Sequence, residues 1–293
     1  MLERRHVVFY ARSGGVPEDR AERNVVLTYV LRVLRDGGLL PYLAFKGGTC
    51  LKKVYLGKTG RFSMDLDFTA VAVDPQTLRE KVKDLLHGES WYGIGFEVRE
   101  ENLSPESYYA AVNYSHEWGS SVFELQVSFR EKPVLPLLEN ELIDEMYFKY
   151  CEFKSFPVRC LQRDEVLSEK IRAMYQRASS RDLYDLYLFC DRPYDRERVR
   201  DMVLVKCWNV RDPFDPEVFF ERVESGGYDW TDLERLVRRG SLPGEEEVVG
   251  RVLDGYGYLK DLDEDLLRVS RDSYAHREEA YVSKLIEDIR ARD

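Results

Sequence analysis

Two short segments carry side chains whose types and spacing suit phosphoryl chemistry. The first is FKGGTCLKKVY (45–55), where an apolar run enters Gly47-Gly48 and Thr49 opens a helical pattern. Glycines let the backbone approach a ligand closely and expose its N–H groups. A helix start favours anions, and Thr49 adds a hydroxyl donor. The arrangement suits a phosphate, although it lacks the GxxxxGK[ST] spacing of a Walker loop. Alone, Gly-Gly at a strand–helix turn is more often plain turn chemistry. The second segment is RFSMDLDF (61–68). On a strand, residues i and i+2 share a face, so Asp65 and Asp67 set two carboxylates side by side while Leu66 turns to the core. Such a pair ionises fully only with a cation between its members. Mg²⁺ (or Mn²⁺), with oxygen ligands and substrate phosphates, is the natural occupant. DxD alone is also common on solvated strand faces. The linked pair says more than either motif, with Asp65 following Thr49 by 16 residues.

Several nearby residues join the candidate list. Ser63 stands two before Asp65, on the same strand face, within reach of the site. Arg61 and Lys46 add positive charge, Lys46 reading equally as an exposed lysine before a turn.

These residues need elements to hold them. Val26, Tyr29, Val30, Val33 and Leu34 recur at helical spacing within 18–36, and Gly37-Gly38 stops that helix. Residues 41–45 read as a strand entering the glycines, 49–55 as a helix, and 63–69 as a strand. Residues 75–87 form a helix with proline in its first turn. Three strands rich in Tyr, Phe and Val follow at 94–99, 108–114 and 121–129. A helix over 164–177, with Asp164 as its N-cap, precedes another at about 181–190. Helices are then expected at 196–207, 214–224, 230–240, 245–254 and 276–291. The fold class is therefore α+β: a mixed α/β domain over 1–160 and an all-α domain over 161–293. A cleft between two such lobes is a common ligand site.

Composition narrows the function class. The chain has 293 residues and a formal net charge of −10, which argues against a generally basic nucleic-acid binder. Basic residues nevertheless outnumber acidic ones over 1–60, while acidic ones dominate after 200. That asymmetry suits an anionic ligand on a local surface, or equally a solvated acidic C-terminal region. No apolar run reaches the ~20 residues of a membrane span, and the N-terminus lacks the pattern of a secretory signal. A cytoplasmic protein is expected. The five cysteines form no CxxC and read as buried thiols. The four histidines show no ligand spacing.

The combined pattern FKGGTxLxKxY…RFSxDLDF resembles the AbiEii/AbiGii toxin family, within the DNA polymerase β-type nucleotidyltransferase superfamily. The likeness is dense over 43–69 and returns at 164–189, DEVLSEKIRAMYQRASSRDLYDLYLF. It implies a polymerase β-like N-terminal domain and a helical domain contributing Lys170–Asp185 to the cleft. By resemblance, Gly47, Gly48 and Thr49 hold the triphosphate and Asp65 and Asp67 ligate Mg²⁺. Lys170 contacts nucleotide phosphates, and Asp182 and Asp185 organise the basic residues or position substrate. From spacing alone, Lys170 and Arg177 share a helical face, and Arg177, Arg181 and Asp185 recur at intervals of four. They make either a cationic stripe suited to phosphoryl transfer or ordinary surface ion pairs. Tyr184, Tyr187 and Phe189 alternate with these charges, as base-stacking or core residues.

The superfamily adds a third carboxylate on a later strand. In the matching segment SVFELQVSFRE (121–131), Gln126 occupies that place. Glu124, on the same face, is either the third metal and catalytic acid or a surface residue. The resemblance implies an enzyme that moves an NMP from an NTP to an RNA (tRNA) or protein acceptor. It also implies a toxin of a toxin–antitoxin or phage-defence system with a separately encoded antitoxin. Two rivals stand beside it: a non-catalytic nucleotide- or RNA-binding protein with a degenerate site, and a small-molecule nucleotidyltransferase of the antibiotic-modifying type.

Overall fold

The computed structural model describes residues 3–272 and 274–292. They form two compact units. The first runs to Lys132 and adds Leu137–Leu161 and Glu234–Ser241. The second comprises Pro133–Pro136, Gln162–Leu233 and the chain from Leu242 onward. The α+β class holds, and each unit borrows a short segment from the sequence range of the other.

The first unit contains helices α1 (Arg4–Gly14), α2 (Glu18–Asp36), α3 (Gly47–Cys50) and α4 (Pro75–Leu86). Its strands are β1 (Leu43–Lys46), β2 (Leu66–Ala70), β3 (Ser90–Trp91), β4 (Ile94–Leu103), β5 (Ser107–His116), β6 (Gly119–Ser128), β7 (Leu138–Glu141) and β8 (Pro157–Cys160). They make one eight-stranded sheet in the order β3-β4-β5-β6-β2-β1-β8-β7. The β2–β6 and β1–β8 pairs are parallel and the others antiparallel, so the sheet is mixed. Alternation decides its faces. Ile94, Phe96, Tyr108, Ala110, Val112, Phe123, Leu125, Val127, Leu66 and Phe68 are buried in one core with the apolar stripe of α2. The intervening residues face the other way and carry most of the candidate chemistry. Asp74 caps α4, accepting from the N–H groups of Gln76 and Thr77, with Pro75 in the first turn.

The second unit is helical: α5 (Arg163–Arg177), α6 (Ser180–Phe189), α7 (Arg196–Asn209), α8 (Pro216–Ser225), α9 (Trp230–Glu234), α10 (Glu245–Gly255), α11 (Glu264–Arg271) and α12 (Glu279–Ala291). Its core includes Leu167, Ile171, Met174, Leu183, Leu186, Phe189, Met202, Val203 and Phe219. Glu165 is fully buried and accepts from the N–H groups of Val134 and Leu135, at 2.8 and 2.9 Å. Buried Lys206 neutralises it at 2.9 Å. This pair clips the borrowed Pro133–Pro136 segment onto the helices.

Some expected boundaries move. Pro41 lies in a 3-10 turn, and the strand starts at Leu43. The expected strand over 63–69 begins only at Leu66. Helix α5 is capped by Gln162, not Asp164, whose carboxylate instead accepts from the Asp195 N–H. The helix expected over 230–240 stops at Glu234 because Leu236, fully buried, belongs to the core of the first unit. There its carbonyl accepts from the Phe62 N–H at 2.7 Å. No cysteine forms a disulfide, and Cys50, Cys160 and Cys207 are buried. No helix among the described residues is long and apolar enough to cross a membrane.

Candidate active site

The two motifs meet through strand pairing. β1 and β2 are antiparallel neighbours with Lys46 opposite Asp67, so the chain leaves β1 into Gly47 beside the second aspartate. Gly47 takes φ +74°, a conformation that disfavours a side chain. A Cβ on Gly47 would lie 2.8 Å from the Cβ and Cγ of Asp67. Gly48 is needed for a different reason: a Cβ there would stand 2.8 Å from the Arg61 guanidinium and 2.9 Å from the Ser63 hydroxyl. Both glycines therefore admit candidate side chains directly against the turn backbone. The buried Thr49 hydroxyl donates to the backbone carbonyl of Asp65. It pins the glycine turn to the start of the aspartate strand.

β6 completes this face. It runs parallel to β2 with Gln126 beside Asp67 and Leu125 beside Leu66. Asp65, Asp67 and Glu124 are half-buried, while Leu66, Leu125 and Val127 turn into the core. The Gln126 amide donates to the Glu124 carboxylate at 3.1 Å. On β5, Tyr109 stands opposite Gln126. Its phenol is shifted upward by partial burial and by the negative charge and hydrogen bond of Glu124, with smaller effects from Glu100 and Asp65. Tyr109 was not among the sequence candidates. Neighbouring Tyr108 and Tyr109 face opposite sides of the strand, and register alone decides which one meets the carboxylates.

Among the described residues no three acidic, histidine or cysteine side chains converge closely enough to hold a metal ion. The aspartate pair fits a divalent cation that takes its remaining ligands from phosphate oxygens and water. Its carboxylates share one face, and a glycine turn adjoins one of them.

Behind the turn the helix widens into a π turn over Leu51–Leu56 that buries two lysines. Lys52 pairs with Glu145 at 2.9 Å, donates to the Gly57 carbonyl at 2.7 Å and lies over the Phe62 ring. Lys53 donates to the Asn24 carbonyl at 2.7 Å and the Thr28 hydroxyl at 2.6 Å, with the Tyr147 hydroxyl at 3.3 Å. Burial, reinforced by the charge of Lys52 against the opposing pull of Glu145, lowers the Lys53 ammonium to about 7. This network fixes the helix behind Gly47–Thr49 to α2.

In the second unit, Lys170 is buried between two carboxylates, 3.0 Å from Asp182 and 2.8 Å from Asp185. Arg177 adds a two-pronged contact to Asp182, at 2.6 and 3.1 Å. Burial alone would raise the Asp182 carboxyl, but the charge of Lys170 and the Arg177 hydrogen bond outweigh it and hold the group well below its ordinary value. The chain turns at Ala178, whose φ is +47°, so Arg177 and Arg181 stand on separate helices. Their spacing of four therefore makes no shared stripe. Arg181 pairs with Asp232 at 2.7 Å. Tyr184 and Phe189 are buried, as core residues are.

The family model described as "Nucleotidyl transferase AbiEii toxin, Type IV TA system" matches residues 29–243. The chain belongs to the AbiEii family. The match spans the glycine turn, both aspartates, the Glu124 strand and the Lys170–Asp185 helices. Among solved structures, MenT4, nucleotidyltransferase toxin Rv2826c from Mycobacterium tuberculosis H37Rv, is similar with a TM-score of 0.86 and 26% identity. That likeness covers 99% of this chain and 100% of the other. JHP933 from Helicobacter pylori is similar at a TM-score of 0.49 and 14% identity, covering 93% of this chain and 99% of that one. No curated protein matches. This AbiEii protein is a nucleotidyltransferase of a toxin family, which implies an NTP substrate and an antitoxin partner.

Proposed function

We propose that this AbiEii nucleotidyltransferase transfers an NMP from an NTP to an RNA acceptor, of which tRNA is the first to test, in a reaction dependent on Mg²⁺. The observation that carries the reading is the packing of Gly47 against Asp67. A turn suited to phosphate and a carboxylate pair suited to a cation form one continuous surface, as a metal–triphosphate complex requires. In the transfer, an acceptor hydroxyl gives up its proton to solvent and its oxygen bonds to the α-phosphorus. The bond from that phosphorus to the pyrophosphate oxygen breaks, and pyrophosphate leaves with the electron pair.

Asp65 and Asp67 would hold the ion, which would neutralise charge on the leaving pyrophosphate and acidify the attacking hydroxyl. Gly47 and Gly48 let the phosphates approach the backbone. Arg61 and Ser63, against Gly48, contribute a cation and a hydroxyl at the same turn, and Lys46 adds charge beside Asp67. Thr49 acts through Asp65, whose carbonyl it holds. Asp182 and Asp185 organise Lys170 and Arg177. The Arg177 side chain is 64% exposed and is the cation of that group best placed to meet an anionic substrate. The system is a toxin with a separately encoded antitoxin, and phage defence is its proposed setting.

The test is incubation of purified protein with each α-³²P-labelled NTP, Mg²⁺ and total tRNA. Label in RNA, lost with chelator and in Asp65→Asn and Asp67→Asn, is the expected result. Label in protein or in an aminoglycoside, with RNA unlabelled, would replace the acceptor. Full transfer by both aspartate variants would overturn the site.

A further inference from the structure

We propose that the segment Glu234–Ser241 and the end of α1 form a docking surface for the phosphate backbone of the RNA acceptor, with Arg12, Arg235, Arg238 and Arg239 as its cations and Phe9 as a stacking platform for a base. The inference rests on the RNA acceptor given under Proposed function.

Backbone ties hold this surface in place. The segment reads ERLVRRGS and belongs to the first unit. Leu236 and Val237 are buried and anchor it. The Leu236 carbonyl accepts from the Phe62 N–H at 2.7 Å, and the Arg239 N–H donates to the Gly15 carbonyl at 2.9 Å. One tie meets the chain just before the aspartates, and the other meets the C-terminal end of α1. Gly15 has φ +62°, and a Cβ there would lie 3.0 Å from the Arg238 Cγ. The bare glycine therefore lets the arginine stem cross the helix end. Arg12 is exposed on the last turn of the same helix.

Charge gives the surface its partner. Arg235, Arg238 and Arg239 are exposed as well. Other exposed arginines of this acidic chain sit on carboxylates: Arg4 on Glu18, Arg5 on Glu3 and Arg268 on Glu278. Among the described residues, no carboxylate stands within ion-pair distance of Arg12, Arg235, Arg238 or Arg239. These guanidiniums repel one another, and the end of α1, with about half a negative charge, offsets only part of that. A polyanion supplies the rest.

Position selects the polyanion. Phe62 stands three residues before Asp65, a span of at most about 11 Å of extended chain. A triphosphate at the glycine turn has Arg61 beside Gly48. Cations spread from the Phe62 tie to the end of α1 suit a longer chain of phosphates. Phe9 is 53% exposed and lies one turn before Arg12 on the same helical face. An exposed ring beside arginines stacks an unpaired base. An acidic protein has no base to offer it, so RNA is the partner that uses every part of the surface.

The test uses the full chain, with total tRNA as the probe and melting temperature as a folding check. R12Q/R235Q/R238Q/R239Q should weaken tRNA binding about 100-fold near physiological salt and reduce the slope of log affinity against log salt by about 3. Its melting temperature should hold or rise, because mutual repulsion is removed. Affinity for a non-hydrolysable NTP analogue and kcat at saturating tRNA should stay within about twofold of the parent, while KM for tRNA rises. F9A should weaken tRNA binding about fivefold or more with the salt slope unchanged. R251Q/R268Q/R271Q/R277Q removes equal charge from exposed arginines of the second unit and should bind tRNA within about threefold of the parent. Parent-like tRNA affinity in R12Q/R235Q/R238Q/R239Q, or equal losses in both quadruple variants, would overturn this inference and leave the RNA acceptor standing. A first quadruple variant that keeps tRNA but loses polyglutamate would give the surface to an acidic protein and overturn it too. Label transferred to protein by the parent, with RNA unlabelled, would remove the underlying reading instead.

Discussion

Gly47→Ala probes the junction on which the site depends. Two costs follow from the structure. Alanine in the left-handed conformation at φ +74° costs about 1–2 kcal/mol. The new methyl would also stand 2.8 Å from the Asp67 Cβ and Cγ. Ordinary contact then requires that carboxylate to retreat by roughly 1 Å, a displacement able to cost about 100-fold in rate. Gly38 separates the two effects, because it has φ +69° with nothing within 4 Å of its added methyl. Gly38→Ala should lose about 1 kcal/mol and transfer normally, while Gly47→Ala should lose at least that stability and about two orders of magnitude in transfer. Urea denaturation gives the first quantity and labelled-NTP transfer the second. Transfer by Gly47→Ala within about twofold of the parent would refute the claim that Asp67 must sit against the bare turn. An equal loss in Gly38→Ala would trace the effect to global stability.

Three other outcomes follow. The unfolded Lys53 keeps its proton to 10.5 but the buried one only to about 7, so between these values the unfolded chain binds more protons and stability rises with pH; Lys53→Met should erase about 2–3 kcal/mol of that rise between about pH 7 and 9.5, read as urea midpoints across the range. Lys170→Met leaves Asp182 and Asp185 buried without their ammonium and should cost about 3–5 kcal/mol, whereas Arg177→Met, at an exposed side chain, should cost under about 1 kcal/mol while still lowering transfer; equal denaturation midpoints for the two would contradict the burial argument. Thr49→Val strips the donor from the Asp65 carbonyl and should cost about 1 kcal/mol with a fall in transfer that Thr49→Ser restores; a serine variant as slow as valine would show that the hydroxyl is not what matters.

Local signals carried much of this into view. The glycine turn, the DxD strand and the three long strands are legible because period-two alternation and glycine punctuation are properties of neighbouring residues. The 18–36 helix was equally plain from its apolar stripe. What resisted reading depended on distant partners. Leu236 continues a helical pattern in sequence, yet its burial beside Phe62 ends α9 at Glu234. Arg177 and Arg181 kept helical spacing across a left-handed turn at Ala178 that breaks it. β7 and β8, four residues each, are too short to announce themselves, and β8 begins with proline. Gln126 was visible as a departure from the family pattern. That Tyr109 stands opposite Gln126 could be known only from the pairing of β5 with β6.

The borrowed segment has a consequence for how the molecule comes into being. A chain emerging from the ribosome presents both sequence motifs early, within its first 70 residues. The unit that bears them nevertheless lacks Leu236, and the partner of the Phe62 N–H, until Glu234–Ser241 has been made. Phe62 lies three residues before Asp65. The aspartate strand is thus left without one of its anchors through most of translation. Both motifs are thus made long before the last strand of backbone that secures them in the folded unit.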